Sequence, residues 1–274
     1  MWLLSLAVAD FTFSLLLLLP ITELALDSHW PFGLLLCKLN YGALMLCLYA
    51  SIFTLAAISV DRCISVVLPV WSRNHRGPRL AALLSLGVWV AAAALSAPTF
   101  TFRQLVSLGN RRGCYTDYLL EGEWPAQTTM DYGDEDDQVM KEWPLSLHDA
   151  RYRAVSLAGF LLGFLLPFLV ITTSYSIIVL RLRWGHLAPS GVKPFKFIAA
   201  IILAFLLCWM PYHICSMLDL LLPHGELFPL VLSVVFQLSY ILTYFNICIN
   251  PVLYIFTWQD FRDAAPTSCQ LPLG

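Results

Sequence analysis

Apolar residues run along this chain in long stretches separated by short polar breaks. Six of the stretches are long enough to be membrane-spanning helices: Leu3–Leu26, Leu34–Val60, Leu80–Phe100, Ala154–Leu180, Phe195–Leu222 and Phe228–Thr257. A helix needs about 20 mostly apolar residues to cross the hydrocarbon layer. Leu, Phe, Val, Ile and Ala follow one another in these runs without strict alternation, whereas strands of a membrane barrel would alternate apolar and polar positions. Backbone groups in lipid must be satisfied internally, so the pattern predicts an all-α bundle. Residues 1–274 read as a single membrane domain, with a long loop at 101–153 and a short tail at 258–274.

Composition agrees. Of 274 residues, 59% are hydrophobic and 12% charged, and mean hydropathy is +0.72. A soluble domain carries about 25% charged residues. A net charge of −2 and a pI near 6.3 give no electrostatic footprint for nucleic acid. Orientation follows from the short loops. Arg73, Arg76 and Arg79, with Arg62 beside them, mark one connection as cytoplasmic; Arg181, Arg183, Lys193 and Lys196 mark another. Asp27–Gly33 and Pro223–Leu227 carry acids and no Lys or Arg, so they lie outside. The long 101–153 segment falls on the same outer side, and both termini come out cytoplasmic. Met1 does not begin a signal peptide: no basic region precedes the first run, and Asp10 interrupts it.

Ionisable and helix-breaking residues inside the runs are the candidates for function. They are Asp10 in the first run, Asp61-Arg62-Cys63 at the end of the second and Trp89 in the third. Pro167 and Tyr175 follow in the fourth, Cys208-Trp209-Met210-Pro211 in the fifth, and Asn246 with Asn250-Pro251-Val252-Leu253-Tyr254 in the sixth. Any one of these has an ordinary explanation, such as a tolerated kink or an interfacial anchor. Their order on successive spans does not.

In that order the sequence resembles the rhodopsin-like G-protein-coupled receptors. The likeness covers nearly the whole chain and aligns the six runs with receptor helices two to seven. Phe261 in Asp260-Phe261-Arg262 matches the start of the short amphipathic helix that follows them. Asp61-Arg62-Cys63-Ile64-Ser65-Val66, Pro69-Val70-Trp71, Asn74-His75-Arg76 and Leu161–Pro167 are similar to the chemoattractant branch. That branch includes formyl-peptide, complement-anaphylatoxin, chemerin-type and prostaglandin D2 type 2 receptors. Cys63 replaces the tyrosine usual after the arginine. The likeness places a first receptor helix ahead of Met1, so the expectation is a chain truncated before it, as a fragment, an isoform or a pseudogene product.

The resemblance implies roles. Asp61, Arg62, Tyr175, Phe205, Trp209, Pro211, Asn250, Pro251 and Tyr254 would form the activation switch and the G-protein-coupling end, with Ile52, Pro167 and Phe205 as a packed relay. Asp10, Ser51, Asn246 and Asn250 would form a Na⁺ site, a hard cation among oxygen donors; the competing reading is a water-filled polar network. Cys47 stands where relatives often place a polar group. Cys37 and Cys114 both fall on the oxidising outer side, and a disulfide between them is expected. Cys47, Cys63, Cys208, Cys215 and Cys248 read as small apolar residues. Cys269 is a candidate for palmitoylation, or a bare tail thiol.

For the ligand, Leu44, Met45, Leu48, Tyr212, His213, Tyr240 and Tyr244 would line an apolar-aromatic pocket, with Glu23, Asp219 and Glu226 adding acidity near its mouth. Met45 and Gly159 stand where formyl-peptide receptors carry charge, which counts against a formyl peptide. Residues Asp131–Asp137 hold five acids in seven positions around Tyr132, a setting that favours sulfation and attracts a basic ligand; the competing reading is a solvating loop. The expectation is a receptor in the cell membrane for a cationic peptide or small protein, acting on heterotrimeric G proteins of the inhibitory type in chemotaxis. The alternatives are a non-signalling truncated receptor and a six-helix transporter. Against the transporter, no inverted repeat is evident. No His-Glu-x-x-His, Gly-x-Ser-x-Gly or P-loop pattern occurs, so an enzyme is not expected.

Overall fold

The computed structural model describes residues 2–75, 77–108, 111–119, 136–184 and 193–221, with seven separate positions between 234 and 245. The helices follow the apolar runs. They are α1 (Trp2–Leu16), α2 (Leu18–Ala25), α3 (Gly33–Val67), α4 (Pro69–His75) and α5 (Pro78–Phe102), then α6 (Asp136–Ala158), α7 (Leu166–Trp184) and α8 (Lys193–Leu221). A hairpin of β1 (Arg103–Leu108) and β2 (Arg111–Thr116) stands between α5 and α6.

The first expected span divides at Leu17. Pro20 has no N–H, and its ring crowds the carbonyl of Leu16, one turn earlier. The Leu17 N–H still bonds the Phe13 carbonyl at 3.0 Å, and the Ile21 N–H bonds that of Leu17 at 3.1 Å. The helix is therefore re-aimed rather than ended. It turns back at Asp27 and Ser28, both at positive φ (55° and 62°).

Helix α3 outruns its expected end at Val60. Ile64, Val66 and Val67 continue the apolar pattern, and the helix stops at Leu68, before Pro69. A residue that precedes proline is pushed out of helical geometry. Asp61, Arg62 and Cys63 therefore sit inside the last two turns. With 35 residues, α3 spans about 52 Å at 1.5 Å per residue. That exceeds the ~30 Å hydrocarbon core, so its end extends into the interface.

The outer segment differs most from the expected loop. Strands β1 and β2 pair antiparallel, from Arg103 opposite Thr116 to Leu108 opposite Arg111. The helix leading into the membrane begins at Asp136, well before Ala154, and runs through a π-helical stretch, Gly159–Leu165, into α7. The π turn lies just before Pro167, whose missing N–H leaves a carbonyl in the preceding turn without its usual partner.

Helix α3 is the central element and packs against α1, α5 and α7. In its most apolar window 56% of residues are buried, against 11% in that of α5. Ala9, Phe13, Leu44, Leu48, Ile52, Phe164, Phe205 and Trp209 form the main core. Large apolar side chains such as Leu83, Leu86 and Val90 face outward, as lipid-facing residues should. Among the described residues four helices are long and apolar enough to cross a membrane: Leu4–Ala25, Gly33–Val67, Pro78–Phe102 and Ser146–Arg181. The run expected at Phe228–Thr257, the tail and the helix expected at Phe261 lie outside the described residues, apart from the separate positions.

Gly42 sets how closely α3 meets α5, because a β-carbon there would overlap the Phe100 ring. Gly87, by contrast, has nothing within 4 Å of its missing β-carbon. Gly42→Val should destabilise the protein by about 1–3 kcal/mol, the usual cost of overpacking. Gly87→Ala should be neutral or stabilising by up to ~1 kcal/mol. Thermal melts of both variants in detergent would check this; equal melting points would contradict the close contact.

Candidate functional site

The outer end is built on Cys114. A disulfide joins it to Cys37 at the start of α3. Its N–H donates to Glu23 Oε1 at 3.0 Å, and its carbonyl accepts from Arg103 Nη1 at 2.6 Å. The other oxygen of Glu23 accepts from the Tyr41 hydroxyl at 2.7 Å. The Arg103 guanidinium lies over the Tyr41 ring, 3.8 Å from its centroid. Nearby, the Trp30 N–H donates to the Arg112 carbonyl at 2.6 Å, and the Arg112 N–H donates to His29 Nδ1 at 3.2 Å. The indole of Trp30 is buried and donates to the Gly33 carbonyl at 2.9 Å.

Below this lies a column of rings. Phe160, Phe164, Phe168, Phe205, Trp209 and His213 contact one another with centroid separations of 4.6 to 6.5 Å. Trp209 is held between Phe205 and His213, each 6.0 Å away. Pro211 stands inside α8 between Trp209 and His213. It removes one rung of the helix ladder there. Ile52 is buried in the same core as Phe205 and Trp209. Tyr49 fills the space beside Gly163 of the π turn, with its Cε1 only 2.6 Å from where a β-carbon would stand.

Beside α1, Asp10 is buried. Its Oδ1 accepts from the Ser51 hydroxyl at 2.5 Å, and its Oδ2 is enclosed with no hydrogen-bond partner among the described residues. The Trp89 indole N–H donates to Ser5 Oγ at 3.0 Å, one turn toward the inner end. At that end the Arg62 guanidinium lies close to the Tyr175 phenol. Tyr175 is buried among Leu6, Leu55, Ile171 and Ile178.

The family described as 7 transmembrane receptor (rhodopsin family) matches residues 1–132 and 140–254. The chain belongs to the rhodopsin family of seven-transmembrane receptors. It is 40% identical to chemerin-like receptor 1 of Homo sapiens over 265 residues, 95% of this chain and 66% of that protein. It is 37% identical to the C3a anaphylatoxin chemotactic receptor of Danio rerio over 268 residues, 97% of this chain and 65% of that protein. It is 37% identical to probable G-protein coupled receptor 33 of Pan paniscus over 239 residues, 86% of this chain and 65% of that protein. The chain thus spans about two thirds of the length of the relatives it matches. Like them, it is a multi-pass membrane protein with the receptor fold, and its relatives come from the expected chemoattractant branch.

Within that receptor fold the sequence-predicted residues fall into place unevenly. Cys37 and Cys114 are bonded. Asp10 meets Ser51, Arg62 meets Tyr175, and Phe205 and Trp209 share one stack. Leu44 and Leu48 are enclosed in the core rather than open to a cavity, with Met45 packed against it. His213 is buried with Nε2 unpartnered, and Tyr212 meets its ring edge. Glu23, expected at the pocket mouth, is buried instead, with both oxygens committed to the outer fastening. Asn246, Asn250, Pro251, Tyr254, Tyr240, Tyr244, Glu226, Tyr132, Cys248 and Cys269 lie outside the described residues, as does the side chain of Asp219. An apolar groove of about 370 Å³ opens beside Pro211 between Leu207, Met210, Ile214 and Val235, on the outward face of α8 and away from the ring column.

Two features escaped the sequence reading. Arg103 counted only as loop charge. The hairpin carried a signal in Gly109-Asn110, a two-residue connection favourable to a tight turn between strands.

The Asp10–Ser51 bond is open to a direct test. Ser51→Ala leaves a buried carboxylate oxygen without its donor and should destabilise by about 1–3 kcal/mol. In the Asp10→Asn background the same change should cost less, and a double-mutant cycle of thermal melts would show coupling. Strict additivity would contradict the bond.

Proposed function

We propose that the chain is the membrane domain of a G-protein-coupled receptor that detects an extracellular chemoattractant, a peptide or small protein, and signals through inhibitory heterotrimeric G proteins. The observation that carries this reading is the alignment of three connected levels along one bundle: a fastened outer hairpin, a ring column around Trp209, and Arg62 beside Tyr175 at the cytoplasmic end. The names of the relatives support the ligand class, since one is a chemerin-like receptor and another a C3a anaphylatoxin chemotactic receptor.

Ligand chemistry follows from charge. The acids of 131–137 draw in a basic body at long range, and sulfation of Tyr132 strengthens the field. Closer in, Arg103 is a half-buried cation with a buried Nε that has no partner, and no carboxylate within ion-pair distance, among the described residues. It suits an anionic group on the ligand, such as a terminal carboxylate. A ligand that presses differently on the rings around Trp209 in two packings shifts the equilibrium between them. Arg62 then serves as the fixed cation at the transducer cleft.

A sodium ion fits the donors beside α1. Asp10 Oδ2 is buried and uncommitted, and the Ser51 oxygen adjoins the same carboxylate. Asp10 and Ser51, with Asn246 and Asn250, would hold it, and the ion would supply a counter-charge to the carboxylate.

The test uses the full chain in cells and in nanodiscs, with chemerin and C3a as probes and nucleotide exchange on an inhibitory heterotrimer as readout. At least one probe should stimulate exchange. Arg62→Ala should reduce stimulated exchange about tenfold or more, the scale of a lost charge-assisted contact, while probe affinity stays unchanged. Unaltered exchange in that variant would contradict the role given to Arg62. Replacing the four acids 134–137 by their amides should flatten the salt dependence of probe association; an unchanged salt slope would count against long-range capture.

A further inference from the structure

The disulfide alone does not explain how the hairpin is held. One covalent bond fixes a distance and leaves the hairpin free to swing about it. In this protein all three functional groups of Cys114 are taken up separately. Its sulfur is bonded to Cys37 of α3, its N–H donates to Glu23 of α2, and its carbonyl accepts from Arg103 of β1. Glu23 closes these contacts into a ring: its second oxygen takes the Tyr41 hydroxyl, and the Tyr41 ring carries the Arg103 guanidinium.

The local sequence explains why Glu23 can do this. It stands in a mostly apolar run, Ile21-Thr22-Glu23-Leu24-Ala25-Leu26, as its only charge, and a charge at such a place demands partners. The break at Leu17, together with the Thr22 hydroxyl bonded to the Leu18 carbonyl at 2.6 Å, re-aims α2 so that Glu23 points inward. The carboxylate is enclosed, and each oxygen has one donor.

We propose that Glu23 is a positioning residue for the ligand site: through Tyr41 and the Cys114 N–H it fixes the angle of the outer hairpin and presents Arg103 as a preformed anion acceptor. It does not touch the ligand. The part that concerns the ligand rests on the receptor reading above; the positioning itself does not. Pre-organisation of this kind lowers the ordering cost of binding.

The test is made without ligand or G protein, so it stands or falls separately from that reading. The full chain in nanodiscs is compared with Glu23→Ala, Glu23→Gln and Tyr41→Phe. Intact mass under non-reducing conditions shows whether the disulfide is retained. Hydrogen exchange is followed at Cys114 and along α3, and modification of Arg103 by phenylglyoxal is followed against the exposed Arg112. In Glu23→Ala the Cys114 amide should exchange about tenfold faster, the scale of one lost hydrogen bond to a charged group. Arg103 should be modified faster, with Arg112 and the cytoplasmic half of α3 unchanged. Glu23→Gln keeps one acceptor oxygen and should fall between. Tyr41→Phe should speed modification of Arg103 while the Cys114 amide stays slow. If Glu23→Ala does not fold, the other two variants decide the matter. Unchanged Cys114 exchange and Arg103 reactivity with the disulfide intact would overturn the proposal. So would a uniform rise in exchange along α3, which would make Glu23 a general stabiliser.

Discussion

Inside the hydrocarbon layer a polar atom without a partner has no water to turn to, and that constraint organises this protein. It forces the backbone into helices, and it pairs most buried side-chain polar groups; exceptions among the described residues include Asp10 Oδ2, His213 Nε2 and the Asn40 amide. Asp10 is met by Ser51, Glu23 by Tyr41 and a backbone N–H, and the Trp89 indole by Ser5. Most of these pairs join α3 to a neighbour or sit beside it. Helix α3 is consequently the frame of the bundle, tied at its outer end by a disulfide and carrying Arg62 in its last turns.

Around that frame the pliable parts are proline-associated. Pro20, Pro167 and Pro211 each remove a backbone donor, and near them lie the helix break at Leu17, the π turn at Gly159–Leu165 and the ring column around Trp209. A rigid central helix among neighbours with weakened ladders suits a bundle with two packings of similar energy. In the proposed switch, movement would be concentrated where hydrogen bonds are already absent, so that changing state would cost few of them.

Much of this was legible in the sequence, because lipid imposes long apolar runs and makes every interruption conspicuous. Asp10, Arg62 and Trp209 stood out that way, while the Cys37–Cys114 pair followed from the receptor resemblance and the oxidising outer side. Other features follow local rules that a hydropathy pattern does not carry. The end of α3 is set by Pro69 rather than by the charges at Asp61 and Arg62, because the helix projects beyond the hydrocarbon. The hairpin lay inside a segment judged by its charge, where Gly109-Asn110 was the relevant signal. Glu23 was expected to add acidity near the pocket mouth. The run around it is mostly apolar, and that was the better guide. Leu44 and Leu48 were expected to line a pocket and are buried in the core; inward-facing and open to a ligand are different properties. Only packing distinguishes them.

The central claim is that outer and inner ends belong to one two-state bundle, in which α8 moves relative to α3. The most direct measurement is the distance between spin labels at Val66→Cys on α3 and Lys196→Cys on α8, recorded in nanodiscs before and after a nucleotide-free inhibitory heterotrimer is added. Two-state switching predicts a second, longer distance population that grows with the heterotrimer and collapses when guanine nucleotide releases it. A single distance distribution, identical under all three conditions with the heterotrimer demonstrably bound, would contradict it.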